Sequence, residues 1–207
     1  MQSLRKTAAL AVAGAAAVSL SAGAAVARAD QRSRPANAGV TGRADFVLPY
    51  VKDSDVRSFE FDVHGAPWTK PRPYPHMERG LPTDARGTVT VRHYSASRKH
   101  TYWAVGEVDC LVTGPRTASV TALMRRVDPA MPDGQKMIGK RVGFSVYDGG
   151  KRGDRVGLSW DLMNFWDDKP GTMGENPVGT CMAPTPFAPV TRGGYSVRHA
   201  ELQPFDF

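Results

Sequence analysis

Beyond an apolar opening, the hydrophobic residues of this chain fall at every second position, in short runs punctuated by Gly, Pro, Asp and Ser. In SFEFDVHG the apolar set is Phe59, Phe61 and Val63, and in TVTVRHY it is Val89 and Val91, continued by His93. TYWAVGEVDCLV aligns Tyr102, Ala104, Gly106, Val108, Cys110 and Val112, while ASVTALMRRV aligns Ala118, Val120, Ala122 and Met124. RVGFSVYD adds Val142, Phe144 and Val146, VGLSWDL adds Val156, Leu158 and Trp160, and YSVRHAEL supplies a closing run. Side chains alternate between the faces of a strand, so a period of two marks half-buried antiparallel strands. The pattern predicts an all-β domain of about seven or eight antiparallel strands, either a β-sandwich or a small β-barrel. Alternation leaves that choice open, because closure depends on whether the first and last strands pair.

The connections have characters of their own. GAPWTKPRPYPHMERGLPTD holds five prolines, too many missing N–H donors for a central strand, so residues 65–84 read as a long extended loop. Such a segment stiffly covers a sheet edge or offers KPRPYP as a polyproline II ligand. DPAMPDGQKMIG is an irregular connection, and residues 128–139 are long enough for an exposed loop of the kind protease inhibitors present. Residues 164–189 are rich in Gly and Pro and read as loop with a short strand. Residues 30–55 are polar, Arg-rich and aperiodic, and read as a disordered lead-in to a single domain at 56–204.

Arg5 and Lys6 precede the apolar stretch TAALAVAGAAAVSL, and Ala27-Arg28-Ala29 has the small-x-small pattern of a signal-peptidase site. Residues 1–29 therefore read as a secretory signal peptide, and the expected location is extracellular. Its removal would leave 178 of the 207 residues, enough for one domain with a core. The leader holds three cations, Arg5, Lys6 and Arg28, and no acid, so the net charge falls from +7 to +4. That mild excess argues against a nucleic-acid partner. No second long apolar run follows, so no transmembrane segment is expected after cleavage. In an oxidising compartment an even cysteine count favours pairing, and Cys110 with Cys181 allows one intramolecular disulfide. Closing a loop of about seventy residues constrains the unfolded chain by roughly 4 kcal/mol. No His or Cys stands at ligand spacing near either cysteine, which weakens a thiol or metal alternative, and no cofactor is expected.

Candidate chemistry concentrates in four places. In VYDGGKRGDRVGLSW, Asp148 and Asp154 flank three glycines, as the oxygen ligands of a calcium loop would, but Lys151 and Arg152 stand between them and no terminal Glu follows. The alternative is a hairpin whose glycines take positive φ and whose Asp148 bonds backbone amides. Arg152-Gly153-Asp154 is an adhesion-type tripeptide at an expected tip. Along RHYSASRKHTYW, Arg92, Arg98 and Lys99 interleave with Tyr94, Tyr102 and Trp103, a combination suited to an anionic cell-envelope polymer. Trp68, Tyr74 and Trp166 offer further rings on the long loops. Glu107 and Asp109, two apart on one strand, could join Asp161 as the carboxyl pair of a small hydrolase of an extracellular polymer, or serve only as surface charges. His64, His76, His93, His100 and His199 lack metal spacing and read as polar strand or loop residues.

The succession GTVTVRHY, GEVDCLV, ASVTALMRRV and VGFSVYDGGKRGDRVGLSW, with a second Cys before TRGGYSVRHAEL, resembles a group of small exported actinobacterial proteins of unknown function, some carrying a repetin label. The likeness covers roughly residues 57–202. It implies a secreted all-β domain with one disulfide and assigns no catalytic residue. The loops at 65–84 and 161–178 are longer than the group's usual form. The overall expectation is a non-catalytic extracellular or envelope module that binds a ligand or plays a structural part. The hydrolase and a calcium-dependent module are its alternatives.

Overall fold

A computed structural model describes residues 37–160, 163–169 and 172–205. The expected signal peptide at 1–29 lies outside them. The strands are β1 (Gly39–Phe46), β2 (Val56–Gly65), β3 (Ala85–Ser95), β4 (His100–Gly114), β5 (Thr117–Val127), β6 (Arg141–Tyr147), β7 (Arg155–Leu158), β8 (Phe165–Lys169), β9 (Thr172–Glu175) and β10 (Ala188–Arg198). Eight of them close an antiparallel barrel in the order β1-β10-β7-β6-β5-β4-β3-β2, and β8 with β9 forms a separate hairpin. Of sandwich and barrel, the chain forms the barrel.

Closure depends on a segment expected to be disordered. Residues 39–46, inside the expected lead-in, form β1, which pairs with β10 from Gly39 opposite Arg198 and with β2 from Gly39 opposite His64. Val40, Ala44 and Phe46 of this strand are buried. Its inward set is completed by Gly42, so two of the four members are too small to register as hydrophobic, and the period of two is hidden. The domain therefore begins before residue 56.

The barrel interior is filled by rings. Phe46 packs on Phe59 with centroids 4.5 Å apart, Phe59 meets Phe144 edge-on at 5.2 Å, and Phe61 meets Tyr195 at 5.3 Å. An eight-stranded barrel is just wide enough for side chains to fill or for one small ligand, and edge-to-face rings fill it densely. The Tyr195 hydroxyl donates to the carbonyls of Ala44 and Phe59 at 3.4 and 3.3 Å. Burial, reinforced by the charges of Asp154 and Asp45, pushes its ionisation well above the ordinary range.

One bulge redirects the wall. Val108 stands opposite Ala122, but Cys110 stands opposite Thr121, leaving Asp109 as the extra residue. A bulge of this kind reverses the alternation beyond it. Leu111 and Thr113 consequently join the interior, while Cys110 turns to the outer face and Val112 is half-buried. The expected common face from Tyr102 to Val112 thus holds as far as Val108 and breaks there. On the outside Cys110 meets Cys181, with sulfurs 1.97 Å and Cα atoms 5.3 Å apart across 71 residues. The disulfide pins residues 176–187 across the outer face of β5, β6 and β7. The Cys181 amide donates to Thr121 Oγ1 at 3.1 Å. The Arg141 guanidinium bridges Asp109 Oδ2 at 2.7 Å and the Val178 carbonyl at 3.1 Å. The strap lies so close that a Cβ on Gly143 would sit 1.9 Å from the Met182 carbonyl oxygen.

The Pro-rich loop has a related duty. β3 pairs only with β4 residues 100–107, and the loop partners the next stretch: the Leu111 amide donates to the Thr83 carbonyl at 3.0 Å, and Lys70 Nζ to the Val108 carbonyl at 2.7 Å. Its anchor is Asp84, fully buried, whose Oδ2 accepts the amides of Thr69, Lys70 and Leu81 at 3.2, 2.9 and 2.9 Å. Arg72 Nη2 approaches the other oxygen at 2.8 Å.

Candidate ligand pocket at one end of the barrel

Because neighbouring strands run in opposite directions, the β1–β2, β3–β4 and β5–β6 connections and the exit of β7 all emerge at one end. A cavity of about 430 Å³ opens there. Its walls are inward positions of three strands, Val91 and His93 of β3, Tyr102 of β4 and Val142 of β6, with Trp160 just past β7. His93 and Tyr102 are register partners, so they enter the mouth side by side. Met131, Pro132 and Met137 close it from the β5–β6 loop, and Ser95, Arg98 and Lys140 stand at its edge. The size suits a small ligand, and mouths of barrels are a recurrent place for such pockets.

The β5–β6 loop is folded onto the mouth by its first residue. Asp128 accepts the Ala130 amide at 2.9 Å and the His100 ring N–H at 2.8 Å, and its own amide donates to the Trp103 carbonyl at 2.8 Å. A short 3-10 turn, Gly134–Met137, then leaves Met137 facing the pocket. The loop at 128–139 is therefore docked by Met131, Pro132 and Met137, in contrast to a protruding inhibitor loop. On the other side Asp55 accepts the Ala96 amide at 2.8 Å and the His93 ring N–H at 2.7 Å, tying the entry of β2 to the β3–β4 turn. The Ala96 amide first, and His93 second, hold the Asp55 carboxyl below its usual range; the Ala130 amide and then His100 do the same for Asp128.

The lining is apolar with cations at its edge, and no carboxylate lines it. Arg98 donates to the Tyr102 hydroxyl at 3.1 Å. The Ser95 hydroxyl is bonded to Ser97 at 3.2 Å, while the His93 Nε2 is committed to Asp55, so the pocket holds no nucleophile hydrogen-bonded to a base. Trp160, Lys140 and Val142 also border an adjoining cavity of about 340 Å³ beneath the strap, beside Asn164 and Val178.

The residues singled out from sequence are distributed differently. The aromatic and basic residues of 92–103 do not make one surface. Arg92 stands opposite Trp103 and His93 opposite Tyr102, so alternation sends Arg92 and Trp103 to the outer face and Tyr102 to the mouth. Arg92 is paired with Glu60 at 2.7 Å, Tyr94 is cross-strand from Val56, and Lys99 sits in the turn with φ of 51°. Only Arg98 and Tyr102 of the six reach the pocket. The carboxyls do not converge: Glu107 pairs with Arg125 at 3.0 Å, exposed, and Asp109 with Arg141 at 2.7 Å. Asp161, the third member of that proposed set, lies outside the described residues.

The β6–β7 turn uses its aspartates structurally. Asp154 accepts the amides of Gly149 at 2.9 Å and Tyr195 at 2.7 Å, and Asp148 accepts the Val197 amide at 3.3 Å and meets Arg116 at 3.4 Å. Gly150 and Gly153 take positive φ, 53° and 82°. Oxygens aimed at protein N–H groups are not aimed at a cation, and among the described residues no group of three His, Cys, Asp or Glu is placed to hold a metal ion. The same bonds hold Asp154 against the barrel, while Arg152 lies over the Tyr147 ring at 5.9 Å, so the tripeptide is not presented as a free tip. Trp68 is engaged by Gln203 and Phe205 of the C-terminal tail, and Tyr74 is exposed.

His93, Met131, Met137, Val142 and Trp160 line the pocket without standing out in the sequence as site residues. The usable signal was a polar His continuing an apolar face at a strand end, with Trp160 ending another such run. No protein-family model matches this chain, nor does any curated protein or solved structure.

Proposed function

We propose that this protein is an exported, non-catalytic binding module that holds an apolar small molecule in the mouth of its barrel. The observation that carries the reading is the cavity itself: about 430 Å³, walled by Val91, Tyr102, Met131, Met137, Val142 and Trp160, with cations at the edge and no carboxylate. Filling such a space removes apolar ligand surface from water at roughly 25 cal/mol per Å². Export is supported by the leader pattern of residues 1–29 and is consistent with the Cys110–Cys181 disulfide. Among the described residues no helix is long and apolar enough to cross a membrane. The hydrolase alternative lacks a converging carboxyl pair among the described residues, and the calcium alternative lacks available oxygens.

The test is titration of the mature oxidised protein with a fluorescent fatty acid in vesicle-free buffer, alongside Trp160→Ala. Saturable one-site binding, weakened about tenfold or more in the variant, or 1.4 kcal/mol, is the expected result. A ligand at a hundred times its dissociation constant should also add about 2.7 kcal/mol of stability. Absence of saturable binding, or equal binding by a folded Trp160→Ala, would remove the pocket from the account.

A further inference from the structure

The outer rim of the pocket end is unlike the rest of the surface. Six of the nine exposed large apolar side chains of the described chain stand there: Val47, Val51, Val56, Tyr94, Ile138 and Met163. Val47 and Val51 belong to the β1–β2 connection, Val56 and Tyr94 are register partners where β2 begins and β3 ends, Ile138 is in the β5–β6 loop, and Met163 follows Trp160. Isolated exposed apolar residues are ordinary, but a set gathered on the connections and strand ends of one end of a barrel points to an interaction surface.

Charge at this end is equally uneven. Among the described residues, Asp53 is engaged by Arg57, Asp55 by His93, Asp128 by His100 and Asp133 by Lys136. Lys52, Arg98 and Lys99 are joined to no carboxylate among the described residues, and Lys52 directly follows Val51. The rim thus presents apolar side chains and uncompensated cations together. Apolar groups that enter the headgroup region, with lysines positioned to meet phosphates, are the chemistry of a domain that sits on an anionic lipid layer.

We propose that the pocket end of the barrel seats on an anionic lipid surface and that the pocket receives an acyl chain from it. This rests on the pocket being a ligand site and adds the source and class of the ligand. The orientation follows from placement: the exposed apolar residues stand at the end of the barrel where the pocket opens, so a chain could pass from the layer to Met137, Val142 and Trp160. Arg98 at the edge stands where an anionic headgroup would remain.

The experiment is flotation of the mature protein with vesicles of phosphatidylcholine alone or mixed with phosphatidylglycerol. Each variant is also titrated with the fluorescent fatty acid in vesicle-free buffer. The wild type should float with the anionic vesicles and not with phosphatidylcholine alone, and added salt should weaken it. The double variant Lys52→Gln/Lys99→Gln should partition about 25-fold less, at roughly fivefold per lysine. Val51→Asp/Ile138→Asp should abolish flotation. Both variants lie outside the pocket lining and should bind the soluble probe as the wild type does, which also reports that they fold. Failure of the wild type to float, or equal flotation by the rim variants, overturns the lipid surface while probe binding leaves the pocket standing. A concentration-dependent dimer lost in Ile138→Asp would assign the ring to a second copy and likewise overturn it. Loss of probe binding by the wild type would count against the pocket itself.

Discussion

At one end of this barrel a charge is buried, and at the other apolar side chains are left in water. Where β2 passes to β3, the Asp84 carboxylate sits at 1 % exposure, yet it accepts three amides and meets Arg72, and the twenty-residue Pro-rich stretch is wound around it. Trp68 of the same loop is covered by Phe205. Where β3 passes to β4, the acids are satisfied by histidines at the rim, while Val47, Val51 and Ile138 lack cover and a cavity remains. A buried charge is costly unless it is paired and hydrogen-bonded, so the amides and Arg72 around Asp84 fix one geometry and close the end around it. Apolar contacts are non-directional and demand no particular partner, so an uncovered apolar ring can wait for another surface. The closed end is specified by its own polar groups, whereas the open end leaves Val47, Val51 and Ile138 exposed.

The sharpest way to break this contrast is Asp84→Ala. It strips the loop amides and Arg72 of their acceptor and should destabilise by about 3–5 kcal/mol, read as a lower urea midpoint. A loss below about 1 kcal/mol would mean that the Pro-rich loop is held by something else. Next is Cys110→Ser/Cys181→Ser, which frees the strap over β5–β7 and should cost roughly 2–4 kcal/mol. Since the strap borders the mouth through Val142 and Trp160, probe affinity should fall with it; unchanged affinity would separate wall from mouth.

Smaller effects sharpen the picture. At the β6–β7 turn, Asp154→Asn should cost about 1–2 kcal/mol, having lost charge-assisted bonds to Gly149 and Tyr195 amides. Asp148→Asn, whose contacts are longer, should cost less than about 1 kcal/mol. Neither wild type nor variant should shift its midpoint between calcium and EDTA; a rise with calcium that Asp154→Asn abolishes would restore the cation site. Last comes acid. Asp55 and Asp128 have carboxyls lowered below 3.8, so their support is present above that range and lost as pH falls through it. Urea midpoints measured from about pH 5 to pH 3 should drop more steeply for wild type than for Asp55→Asn/Asp128→Asn. Parallel curves would show that these pairs do not hold the mouth together.

Much of the architecture was legible in the order of residues. The alternations at Phe59–Val63, Val89–Val91, Ala118–Met124 and Val142–Val146 are the buried faces of β2, β3, β5 and β6. The two cysteines pair as their number required. The site was far less legible. Arg92, Tyr94, Lys99 and Trp103 share a sequence neighbourhood with Arg98 and Tyr102 but not a surface, since neighbours on a strand point opposite ways. Met131 and Met137 belong to the pocket through a loop fold that depends on His100 reaching Asp128, 28 residues away, and Trp160 belongs to it through its place just past β7. No local pattern announces such a contact.

By itself, then, the amino-acid order determined what repeats locally: strand faces, turns at Gly and Pro, one disulfide and an all-β class. These follow from steric and hydrophobic rules that act over a few residues. Barrel closure by β1, the reversal at Asp109 that sends Cys110 outward, the burial of Asp84 and the cavity at one mouth were decided only by tertiary structure. Each depends on which distant segments pack together, and the small residues of GVTGRADF or a single extra residue in β4 weigh too little locally to reveal it.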